Sequence, residues 1–378
     1  MIFKKNYIHV LLGLLIVTLI GLIILRFSIT PKSAQDPGCG DGSSPHASLA
    51  SSSEPALRKL SEYEAVCKGP ITDTMMLFTA MPASPDEVNE SAKQVSTRLK
   101  EFAKQGIKPL VLFEPNASIP NIISDIRDGG YDPVLMSYFQ TLKKLNITDK
   151  QMGTWVLFPE ANTPAWENTD AATFAKNVTR LAAIQREVFP VMKLSILLNA
   201  TTYPSDDISW GRGEQKDLRP YVASIPKGTI DSFGYQGFPF LSPANAPAPY
   251  GKVDAKDFLP PSIAYQAAAE LQTREIWINT GSFRRIHTDK RAEEVTQSSS
   301  QRQKTLSSVV GQAAELQDRG FNVSINIFAE DKSNQTEHTD WSYWPDGKHE
   351  GKPDELVFKT FLEQLHEQQI KISLYDSL

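Results

Sequence analysis

Six places in the sequence set residues able to do chemistry at the downstream end of a short apolar run. They are Glu114, Glu160, Asn199, Tyr235 with Gln236, Asn279, and Glu330 with Asp331. Trp166, Trp210, Trp277, Trp341 and Trp344 fall in the same stretches. Carboxylates and carboxamides suit the hydroxyls of a sugar, and flat aromatic faces suit the apolar side of its ring. Cleaving a glycosidic bond asks for more: two carboxyl groups across the bond, one of them protonated. Glu160 is the candidate general acid, and Glu114 and Glu330 compete to be its partner. A carboxyl separation of roughly 6.5–9.5 Å would suit inversion through a water, and one of roughly 5–5.5 Å would suit retention. Each glutamate taken singly could instead cap a helix or join an ion pair; adjacency of strands favours Glu114. Tyr235, Gln236 and Asn279 are candidate ligand hydrogen-bonders, with satisfied core polar groups as the alternative. Trp166 and Trp341 are candidate stacking platforms. Trp277 faces inward two residues before Asn279, where it packs the core or touches a ligand. Asp231 opens its strand and is expected to be structural. The six histidines are scattered in loops and termini, so neither a nucleophilic Ser/His pair nor a metal triad is indicated, and no cofactor is expected.

These groups need a scaffold that brings distant strand ends together. Apolar runs read as strands at 74–81, 110–115, 155–162, 194–202, 230–238, 276–281 and 323–329. Helical patterns separate them, from Ser84 to Gly106, in the second part of 125–145, from Asp170 to Val188, over Ser262–Gln272 and from Gln301 to Arg319. The runs are nearly continuous rather than alternating, which indicates strands buried on both faces of a parallel sheet. Strand–helix units over this length point to a (β/α)₈ TIM barrel or a doubly wound open sheet. No G-x-G-x-x-G or P-loop follows any strand, which removes the usual reason to prefer the open sheet. The expected fold class is therefore α/β, a (β/α)₈ barrel. Its eighth strand lies near Ala65–Ile71, or the barrel is incomplete.

Three regions are expected. Residues 1–27 form a membrane anchor: Lys4 and Lys5 precede an apolar run from Ile8 to Leu25, close to the length that spans a hydrocarbon core. The run is longer than a signal-peptide core and no small-residue cleavage pattern follows Arg26. The flanking lysines place the N-terminus in the cytoplasm and the rest outside, in a single-pass arrangement. Residues 28–55 are rich in Ser, Gly, Pro and Asp and read as a flexible stalk. Residues 56–378 are the barrel domain. Cys39 and Cys67 would both lie in an oxidising compartment, where they form a disulfide or remain two free thiols. A net charge of −5 offers no basic footprint for nucleic acid.

The segment DIRDGGYDPVLMSYFQTLKKL leading into WVLFPEANTPAW resembles the mannanase-like retaining branch of the (β/α)₈ glycoside hydrolases of clan A. That branch carries a G-[KR]-Y-D helix before strand four, which ends in the acid/base glutamate followed by Asn and a nearby Trp. Gly130, Tyr131, Asp132, Glu160, Asn162 and Trp166 stand in those places. The stretch YVASIPKGTIDSFGYQGFP resembles the branch's strand six, and Lys332 and Trp341 match its closing Lys-to-Trp segment. The resemblance implies a substrate-binding role for Asn162. Two departures accompany it. Pro159 stands where the branch has a His. IWINTG, read as strand seven, offers Asn279 or Thr280 in place of the nucleophile glutamate, and an amide cannot form a glycosyl ester. The expectation is a membrane-anchored glycoside hydrolase acting on a polysaccharide or oligosaccharide outside the cytoplasm, with Glu160 as acid/base. The alternative is a carbohydrate-binding barrel that has lost catalysis.

Overall fold

The computed structural model describes residues 72–116, 118–163, 169–200, 217–239, 254–288, 293–328, 331–332, 339–340, 355–368 and 370–376. In chain order the elements begin with β1 (Thr74–Ala80), α1 (Val88–Lys104), β2 (Lys108–Glu114), α2 (Ile122–Asp128), α3 (Asp132–Lys144), α4 (Asp149–Met152) and β3 (Thr154–Leu157). They continue with α5 (Ala171–Val188), β4 (Lys193–Asn199), α6 (Leu218–Ala223), β5 (Ser232–Gln236), α7 (Pro261–Leu271) and β6 (Glu275–Thr280). The last third holds β7 (Arg285–Thr288), β8 (Glu293–Thr296), α8 (Ser299–Asp318), β9 (Asn322–Ile327), β10 (Asp331–Lys332), β11 (Thr339–Asp340), α9 (Glu355–Glu367) and β12 (Lys371–Asp376). All described residues fall in one unit, Cys39–Leu378.

Eight parallel strands close into a barrel in the order β1–β12–β9–β6–β5–β4–β3–β2. The seven apolar runs read from the sequence are all barrel strands. The eighth is KISLYD at the C-terminus, which pairs with β1 through Thr74↔Ser373 and with β9 through Asn326↔Ser373. The barrel is therefore complete, and its closing strand follows the others instead of preceding them; Ala65–Ile71 lie outside the described residues. This changes the count. Glu160 follows the third barrel strand and Asn279 lies on the sixth, so neither occupies the fourth or seventh place that the resemblance assigned. The seventh barrel strand is Asn322–Ile327. KISLYD was missed because its apolar residues alternate with polar ones instead of running on.

Two apolar cores sit on either side of the strand wall. The larger one lies between strands and helices, where α1, α3, α5 and α8 bury stripes such as Val95, Leu99 and Phe102, or Leu306, Val309 and Ala313. The smaller fills the barrel lumen with Met76, Leu110, Leu112, Val156, Leu197 and Trp277, with Phe78 against them. Gly234 is needed here: a Cβ on it would lie 2.3 Å from Trp277 Cζ2 and 2.7 Å from the Ile196 carbonyl oxygen. The indole occupies the lumen over Gly234, and its Nε1 donates to Ser195 Oγ at 2.9 Å. Trp277 is thus a packing residue.

Strands β7, β8, β10 and β11 form a small antiparallel sheet on the segments that leave the downstream ends of β6 and β9. Among the described residues no helix is long and apolar enough to cross a membrane. The expected anchor at 1–27, the stalk at 28–55, and Cys39 and Cys67 all lie outside the described residues.

Candidate functional site

Strands β4, β5, β6 and β9 each bring a carboxamide to the downstream end of the barrel. Asn199, Gln236, Asn279 and Asn326 lie opposite one another in register across four adjacent strands. Asn199 and Asn279 come two residues after Leu197 and Trp277, which fill the lumen, so alternation along the strands turns them to the same side. Their side chains join. Asn326 Nδ2 donates to Asn279 Oδ1, and Asn279 Nδ2 donates to Gln236 Oε1. Gln236 Nε2 then donates to Asn199 Oδ1 at 3.0 Å and to Glu160 Oε1 at 2.7 Å. At the far end Asn326 Nδ2 also reaches Met76 Sδ at 3.5 Å. None of the four amides is more than 6% exposed. A buried carboxamide without a partner costs about 1–3 kcal/mol, so mutual pairing is what makes such a row tolerable in a barrel lumen.

Glu160 comes from an unusual turn. β3 stops at Leu157, and Phe158 (φ 50°) and Glu160 (φ 59°) both take the left-handed conformation on either side of Pro159. For an L-residue this costs about 1–2 kcal/mol, and a residue before proline is restricted further. The turn is held against β4: the Glu160 N–H donates to the Leu197 carbonyl at 2.7 Å. Asn162 pairs twice with the Asn199 backbone, Nδ2 donating to its carbonyl and Oδ1 accepting from its N–H, both at 2.9 Å.

Glu114 ends β2 opposite Ala80 and is half-buried. It shares the parity of Leu110 and Leu112 in the lumen core, on the strand next to β3. Glu330, Trp166 and Trp341 lie outside the described residues.

Tyr235 does not join the row. Neighbours along a strand point to opposite faces, so with Gln236 inward Tyr235 packs in the helix-side core, its hydroxyl donating to the Pro260 carbonyl. Burial pushes its phenol well above the ordinary value and keeps it a neutral donor. Asn162 has no exposed surface, so it stands behind the site and not at a ligand's edge. Asp231 is structural as expected, accepting from the Leu194 N–H at 2.8 Å and from Arg186 at 3.2 Å.

Sequence reading gave no role to Asn199 and overlooked Asn326, although a polar residue inside the run SINIF was a visible signal. It also overlooked Phe238 and Phe328, two residues beyond Gln236 and Asn326. These half-buried rings meet edge-to-face with centroids 6.0 Å apart. Among the described residues no group of three or more His, Cys, Asp or Glu is placed to hold a metal.

Neither a protein-family model nor a curated relative matches the sequence. Solved structures do resemble the fold. A family 1 β-glucosidase from Thermotoga maritima aligns at 13% identity and TM-score 0.53, over 83% of this chain and 86% of its own. The same organism's β-glucosidase in complex with a substituted glucoimidazole aligns at 12% identity and TM-score 0.53, over 84% and 87%. A fungal β-1,4-galactanase aligns at 11% identity and TM-score 0.52, over 80% and 90%. At such identities the likeness concerns architecture alone: this chain shares the (β/α) barrel fold of those glycoside hydrolases.

Proposed function

We propose that this protein is a glycoside hydrolase acting on a polysaccharide or oligosaccharide, with Glu160 as general acid/base and Glu114 as the partner carboxylate. One observation carries the reading: at the downstream end of the barrel strands, where barrel enzymes keep their chemistry, a glutamate is hydrogen-bonded into a row of carboxamides, and the neighbouring strand ends in a second glutamate. Amides and the Phe238–Phe328 pair suit a sugar's hydroxyls and its apolar ring face. The barrel likeness to a β-glucosidase and a β-galactanase supports the same substrate class. The apolar run Ile8–Leu25 behind Lys4 and Lys5 anchors the domain outside the cytoplasmic membrane.

The test is reducing-sugar release from β-mannans, β-glucans and cell-wall glycans by the detergent-solubilised full chain. Release that falls by about 10²–10⁴-fold in Glu160→Gln is expected of a lost general acid; a variant as active as the parent refutes the assignment. Membrane fractionation, with and without residues 1–27, tests the anchor: the full chain should sediment with membranes and the truncated one should not.

A second reading has its own observation. Strand β4 ends in Asn199 and β6 carries Asn279 beside its last residue, and amides cannot form a glycosyl ester. On this reading the barrel binds glycan without cleaving it. Glycan binding that persists in Glu160→Gln, with no sugar release from the parent, selects it.

A further inference from the structure

We propose that Asn162 is a positioning residue, which holds the Glu160 carboxylate against Gln236 by stapling the turn after β3 to the end of β4. The inference rests on Glu160 as the reacting carboxylate.

Two left-handed residues within three positions, one a buried phenylalanine before a proline, form a turn with little local preference for its own shape. Strain of about 1–3 kcal/mol per such residue persists only where the surroundings over-determine it. Here three hydrogen bonds to β4 do so. One joins the Glu160 N–H to Leu197, and two join the Asn162 carboxamide to the N–H and carbonyl of Asn199. The two Asn162 bonds form a reciprocal pair of the kind one strand makes with another, supplied by a side chain where β3 has already ended. A further bond, from the Thr163 N–H to the Glu160 carbonyl at 2.9 Å, closes the turn on itself.

The staple lands on the residue that matters for geometry. Asn199 carries the side-chain oxygen that takes one N–H of Gln236, while Glu160 takes the other. Asn162 therefore fixes the two acceptors of a single amide relative to each other. Its side chain has no exposed surface, so its effect must pass through these neighbours and not through a substrate.

The experiment compares Asn162→Ala and Asn162→Asp with the parent, all as full chain, with Glu160→Gln as control. Release of the turn is expected to lower kcat by about 10–100-fold, the scale of a misplacement near 1 Å, with KM within about twofold. In Asn162→Asp the carboxylate faces the Asn199 carbonyl without a donor. Protonation restores an O–H donor, so its kcat relative to the parent should climb as pH falls. Unchanged kcat in both variants, or a raised KM alone, overturns the proposal. Crystal structures of parent and variants give an answer that needs no activity: the Glu160–Gln236 contact should be lost in Asn162→Ala, and a contact kept at 2.7 Å overturns the staple. If Glu160→Gln stays active, the hydrolase reading fails, and the crystallographic comparison still decides what Asn162 holds. Should Asn162→Ala not accumulate as folded protein, Asn162→Asp carries the same measurements.

Discussion

The two halves of the barrel mouth are built on different principles. From β4 round to β9 every strand carries a carboxamide at or one residue before its last position, and the four amides hold one another in a single buried row. From β1 to β3 the strands end in Ala80, in the half-buried Glu114, and in a left-handed turn that delivers Glu160. The amides of the first half are neutral, paired with one another and set by strand register; the second half brings Glu114 and Glu160 and departs from regular backbone. Gln236 is where they meet. A rigid neutral half can define a geometry, and a strained half can be held to it, which is the arrangement in which a reacting group is preorganised at small cost in motion.

The largest effect should come from the support beneath the amide half. Trp277→Ala removes an indole from the lumen and leaves Ser195 without its donor, and is expected to cost about 3–5 kcal/mol in denaturant unfolding. A loss below about 1 kcal/mol would mean that the lumen collapses without it. Gly234→Ala approaches the same contact from the other side and should cost about 1–3 kcal/mol by overpacking.

Next comes the junction. Gln236→Leu keeps the volume but leaves Asn199, Asn279 and Glu160 each short of a partner. We expect a loss of about 2–3 kcal/mol, measured by urea unfolding. A near-neutral result would show that the row is not a joined unit.

The smallest change sharpens the comparison through pH. Tyr131 and Tyr221 line the helix side, and burial raises both phenols to about 12. Raised folded values favour the neutral form, so this stability is full below about pH 10, where free tyrosine begins to ionise. It is lost as pH climbs through about 12. Alkaline unfolding followed by phenolate absorbance should fall in that window, and a transition complete below pH 10 would contradict it.

Much of the scaffold was legible because parallel barrel strands are buried on both faces and so appear as continuous apolar runs. MMLF, LVLF, WVL and SILL could be placed by eye, and so could the helix that Asp170 caps and the one read from Gln301, which in the structure starts at Ser299 behind a Ser298 cap. Strand ends were legible too, since Glu114, Glu160, Asn199, Gln236 and Asn279 are the first polar residues after each run. KISLYD was not, because its alternating pattern resembles an exposed strand and its burial depends on closing the barrel.

What the sequence determined by itself was local: which segments are strands, which are helices, and which residues stand at their ends. Only the tertiary structure decided the count of strands, and with it that Glu160 follows the third and Asn279 lies on the sixth. It also decided which neighbours share a face, setting Tyr235 against the helices while Gln236 enters the lumen. Periodicity reports the environment of each segment alone. Register across eight strands, and the amide row that depends on it, arises from hydrogen bonds between residues as far apart as Met76 and Asn326, 250 positions along the chain, which no local pattern encodes.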